Sequence, residues 1–155
     1  MRTSLVRDVY DNQNCYLMGR KGNELLSGDD SELVMSIVLR GFKVYATDDV
    51  WYTHVLKAER LTEDYYYRLY DGLQLPTPVF DSMRAAIYDN GFGDIVRDYH
   101  RNVKTFVRYS MLRRKPGAYG KRKGAEANLK RFHYWGLLKL YVIYRNCSRI
   151  KQQNR

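Results

Sequence analysis

The chain has 155 residues, of which 45% are hydrophobic and fifteen are tyrosine, and it carries a net charge of +10. That length and apolar fraction, with few Pro and Gly, exclude a disordered chain and a two-domain enzyme. No run reaches the roughly 18 apolar residues of a spanning helix, the first twenty residues lack a signal-peptide core, and Cys15 and Cys147 have no metal-ligand spacing and suit a reducing compartment.

Charge divides the chain. Residues 1–96 hold 15 acidic and 10 basic side chains, whereas residues 97–155 hold 2 and 17. Two parts with different tasks are expected, 1–75 and 76–155.

Residues 1–28 have no sustained period, and Gly19, Gly22 and Gly28 punctuate them, so mostly loop with one short element is expected. From Ser31 to Arg40 the apolar residues Leu33, Val34, Ile37 and Val38 recur at helical spacing, and Gly41 stands where a helix takes its left-handed C-terminal residue. Asp29, with Glu32 three residues on, makes a capping box, and Asp30 in the first turn favours the helix dipole. Lys43–Ala46 and Val50–Val55 are β-rich runs around Thr47-Asp48-Asp49, which predicts a strand, a turn and a second strand.

Thr62 opens a helix with Glu63 and Asp64 in its first turn and Gly72 near its end. Beyond Pro76 and Pro78 helices are expected over about 79–89, 94–115 and 125–150. The segment "KPGAYGKRKG", 115–124, reads as the loop before the last. A two-stranded ribbon with nothing else to pair with is marginal, which suggests that part of a larger domain is missing.

Residues 19–73 resemble the C-terminal part of the catalytic domain of bacterial family 2 glycosyltransferases of the GT-A fold. Three strings carry the likeness in order: Gly28-Asp29-Asp30-Ser31-Glu32-Leu33, the Arg40-Gly41-Phe42 turn, and His54 followed after five residues by Arg60-Leu61-Thr62 and aromatics. The resemblance implies an α+β architecture: a partial GT-A, Rossmann-like segment with a short β-ribbon, followed by a helical C-terminal region.

It also implies roles. Asp30 would be the catalytic base of an inverting transfer, with Asp29 as its neighbour; the family more often has Glu at the first position. The base takes a proton from the acceptor hydroxyl as it attacks a nucleotide sugar, and a helix start orients such a carboxylate. His54 would be a ligand of the divalent metal, Mg or Mn, that holds the nucleotide diphosphate, and Arg60 would contact the phosphates. Against these stand ordinary readings: helix caps for the aspartates, a surface or packing histidine, and a solvated arginine. The nucleotide-binding half and its Asp-x-Asp motif are not among these residues, so activity is expected only in a complete enzyme acting on a glycan or lipid-linked acceptor.

The basic half alternates cations with aromatic and aliphatic residues, as in "VRDYHRNVKTFVRYSMLRRK" and "WGLLKLYVIY". Such helices fit an anionic membrane surface, at the inner face of the cytoplasmic membrane. A hairpin that packs its aromatic stripe as core is the ordinary alternative. Nucleic acid ranks well behind, because no recognition module is present. A non-catalytic basic helical module is the reading of a different class.

Overall fold

The computed structural model describes residues 3–12, 15–17, 27–45, 47–112 and 116–154. Seven helices and one 3₁₀ turn follow one another: α1 (Thr3–Asn12), α2 (Asp29–Leu39), the 3₁₀ turn (Ala58–Arg60), α3 (Glu63–Gln74), α4 (Thr77–Ile87), α5 (Gly93–Met111), α6 (Ala118–Trp135) and α7 (Leu137–Gln153). Among the described residues there is no strand. Gly19, Gly22, Ala46 and Lys115, on which parts of the sequence reading fall, lie outside them.

The expected α+β fold with a β-ribbon is therefore corrected to an all-helical one. Residues 43–45 and 50–55 are exposed and hydrogen-bond to no neighbouring strand. β-propensity reports packing on a pleated surface, and here no such surface is offered. Only the turn chemistry between the runs survives, with Asp49 N–H donating to Thr47 Oγ1 at 3.1 Å.

The chain groups into two compact units, Met1–Pro76 with Lys151–Arg155, and Thr77–Ile150. In the first, α1 packs on α2, burying Val9, Ile37 and Leu39. The Arg40 side chain, 8% exposed, is tied to Asp8 by a 2.8 Å ion pair and donates to Ser36 O at 3.1 Å. The end of α2 fits its sequence: Phe42 N–H bonds Ile37 O, Gly41 N–H bonds Val38 O, and Gly41 takes φ +82°. That is a Schellman ending, and a residue with a Cβ would be strained there. At the start of α3, Thr62 Oγ1 accepts the Tyr65 N–H at 3.3 Å, as expected of its cap.

In the second unit α5 and α6 form an antiparallel hairpin on which α4 packs. Its register is marked at three levels: Tyr99 packs edge-on against Phe132, Asn128 Nδ2 donates to Asn102 Oδ1 at 3.0 Å, and Lys121 Nζ donates to Tyr109 Oη at 3.2 Å. α7 sets Leu140, Ile143 and Cys147 into the core, and Tyr141 and Tyr144 against Phe92.

Two boundaries differ from expectation. Most of the expected loop 115–124 is the first part of α6, because burying Ala118 and Ala125 outweighs the poor helix propensity of Gly120 and Gly124. The helix expected over 125–150 is broken at Gly136, whose φ of +74° ends α6 before α7 begins.

Candidate functional site

Gly28, with φ +120°, is the residue before α2, so Asp29 and Asp30 are its first two helical residues. The Asp29 side chain is no cap, and the expected capping box is not formed. Asp30 Oδ1 accepts the Ser31 N–H at 2.7 Å, and both aspartates are exposed. An exposed carboxylate at the positive end of a helix can accept a proton from a hydroxyl brought to it.

Glu32 is the acid the sequence reading misplaced. Its carboxylate turns inward, 2% exposed, and accepts the Tyr16 N–H at 2.7 Å and the Leu17 N–H at 2.8 Å. Burial pushes its pKa up, the two backbone bonds pull it down, and the charge of Asp29 adds to the rise. The signal was present: Glu32, Ser36 and Leu39 follow one face of α2, all buried. Beside them Cys15, Leu17, Asp29 and Leu33 line a cavity of about 20 Å³.

His54 and Arg60 come together elsewhere in the same unit. With Leu56, Leu61, Thr62, Glu63 and Tyr65–Tyr67 they line an open hollow of about 590 Å³. The 3₁₀ turn delivers Arg60, whose guanidinium lies 6.0 Å from the centroid of the Tyr65 ring. Neither Asp29 nor Asp30 lines this hollow. Tyr65, Tyr66 and Tyr67, the aromatics that follow Arg60-Leu61-Thr62 in the sequence, form an aromatic wall of this hollow.

The donor set does not make a metal centre by itself. Among the described residues no three His, Cys, Asp or Glu side chains converge, so His54 and Glu63 are not a sufficient site for Mg or Mn.

The helical unit holds a second concave feature. Arg97, Arg101, Lys104, Thr105, Arg108, Tyr109 and Lys121 line a groove of about 510 Å³ along α5 and α6. Its cations recur at three- and four-residue spacing on α5, which gathers the alternating cations of the sequence into a stripe. The stretch Trp135–Tyr144 divides its faces, with Trp135, Leu140 and Ile143 buried and Leu138, Tyr141 and Val142 exposed. No helix among the described residues is long and apolar enough to cross a membrane.

No protein family, curated protein or solved structure matches this chain. Its chemistry is read from its own side chains.

Proposed function

We propose that the chain is the acceptor-side portion of an inverting glycosyltransferase that moves a sugar from a nucleotide-sugar donor to a glycan or lipid-linked acceptor. The observation that carries this reading is the pairing of His54 and Arg60 in one aromatic-walled hollow, in the unit that also holds the two exposed aspartates at the start of α2. Sugars pack their apolar faces on tyrosine rings, and a guanidinium holds a diphosphate by paired hydrogen bonds.

In this reaction Asp30 takes the proton of the acceptor hydroxyl as its oxygen bonds to the anomeric carbon. The bond from that carbon to the phosphate oxygen breaks, with inversion, and the nucleoside diphosphate leaves with its electron pair. Asp29 reinforces the negative field at Asp30, and the part that completes the site would bring the donor's phosphates to Arg60 in its separate hollow. A divalent metal enters only where a nucleotide-binding half brings further carboxylates to His54.

Exposed apolar residues between the helices also support the reading. Trp51 is 90% exposed, and Val44, Tyr45, Tyr52 and Val55 lie open with it, as in a surface made to be covered by more protein. The place of action is the cytoplasmic face of a membrane, where the basic helical unit would lie.

The test is Asp30→Asn in an enzyme that joins this chain to its nucleotide-binding half. Transfer should be abolished while the unfolding midpoint stays put. Intact turnover, with a stability change of at most about 1 kcal/mol from the helix dipole, would leave Asp30 a helix-end residue and nothing more. The second reading, a non-catalytic basic module, is favoured by the cationic groove on α5 and α6 and would then stand alone.

A further inference from the structure

The geometry points to the end of the α5–α6 hairpin at which α5 finishes and α6 begins as the membrane contact: a cationic, tyrosine-edged face that binds anionic phospholipid headgroups. It rests on the part of the proposal that places the chain at a membrane and owes nothing to glycosyl transfer.

The charges of the groove are not equally satisfied. Arg97 is paired with Asp94 at 2.8 Å and Arg101 with Asp98. Lys104, Arg108 and Lys121 have no carboxylate partner among the described residues. Two of these converge on one ring, since Lys121 Nζ is 5.2 Å and the Arg108 guanidinium 5.8 Å from the Tyr109 centroid. Three uncompensated cations around a groove repel one another, and a bound phosphate relieves that repulsion.

A second tyrosine repeats the arrangement at the start of α6. Arg122 and Lys123 each lie 6.0 Å from the Tyr119 centroid, and Tyr119 is 69% exposed. Apolar groups share this end of the hairpin. Val107 and Met111 continue the Lys104–Arg108 side of α5 at helical spacing, and Met111 is 79% exposed.

This combination selects the partner. A free phosphate would satisfy the groove but leave Val107 and Met111 in water. A single-stranded nucleic acid stacks its bases on open aromatic faces, whereas the rings of Tyr109 and Tyr119 each already carry two cations. A bilayer surface meets every feature at once, with headgroups on the cations, tyrosines at the interface and Met111 in the acyl boundary.

Vesicle co-sedimentation tests this. The full chain should bind phosphatidylglycerol-containing vesicles and ignore pure phosphatidylcholine vesicles. Lys104→Gln/Arg108→Gln/Lys121→Gln should weaken binding on the order of a hundredfold, from about one headgroup interaction per cation. A variant of equal charge, Lys43→Gln/Lys57→Gln/Arg149→Gln, should weaken it only a few-fold. Met111→Ser, which leaves all charges in place, should weaken it several-fold, and circular dichroism should report unchanged helix content throughout. Three results would overturn the assignment: equal loss in both triple variants, displacement from vesicles by millimolar pyrophosphate at constant ionic strength, or tighter binding to an RNA oligonucleotide than to anionic vesicles.

Discussion

Glu32 Oε2 accepts the backbone N–H of Leu17 at 2.8 Å, from a residue fifteen positions earlier in the chain. With the Tyr16 bond it pins residues 15–17 to α2 through one buried carboxylate. The folded-state pKa is raised, chiefly by burial, above the ordinary 4.5. Between those two values the native state holds more protons than the unfolded state, so this group's contribution to stability falls as pH rises through that window. Urea unfolding of the native chain and Glu32→Gln across the same pH range should show the free-energy difference shrinking as pH rises. A constant difference would refute it. Glu32→Ala removes the acceptor of one buried N–H, that of Leu17, and of one part-buried N–H, that of Tyr16, and should cost about 3 kcal/mol.

Gly120 and Gly124 lie exposed within α6, and a Cβ at either position would meet nothing within 4 Å. Gly120→Ala and Gly124→Ala should each stabilise the chain by about 1 kcal/mol, seen as a higher melting temperature by circular dichroism. Gly136→Ala should do the opposite by a similar amount, because its φ is +74°.

Thr62 closes the first turn of α3, the helix that supplies the tyrosine wall. Thr62→Ala should cost about 1 kcal/mol and Thr62→Ser almost nothing. Amide hydrogen exchange at Tyr65 reads the change directly and should accelerate only in the alanine variant.

Cys15 should be a slow thiol. Burial pushes its pKa up, the negative charge of Glu32 adds to the rise, and Arg40 opposes it. Because the thiolate is the reactive form, disulfide-reagent labelling near neutral pH should be slower than for an exposed cysteine, and Glu32→Gln should speed it. Labelling of Cys15 at the rate of a free thiol would contradict this.

The helix ends were the most legible part of the sequence. Gly41 and Thr62 act where local chemistry put them, because caps are decided within a few residues. What required the rest of the chain was hidden. Val44, Trp51 and Val55 have strand composition but lack a partner to pair with, and α1 was read mostly as loop because its burial depends on α2. Glu32 looked like a cap residue since only the fold brings Tyr16 and Leu17 over it. At the candidate site, His54 and Arg60 can be named individually, but their sharing of a hollow with the tyrosines depends on the 3₁₀ turn that follows His54 and ends at Arg60.

The amide pair of Asn102 and Asn128 has one more consequence. Asn102 is buried, and sliding α5 past α6 by a turn would take the Asn128 donor away from its Oδ1, so the pair favours the observed alignment. That alignment is a ruler for everything beyond it. One residue inserted between Asn102 and Lys104 would keep the pair and swing Lys104 and Arg108 about 100° around the helix. The tolerance of this chain to length change should therefore be sharply uneven: forgiving outside the hairpin helices, and closed along the two turns of α5 that separate the amide pair from Met111.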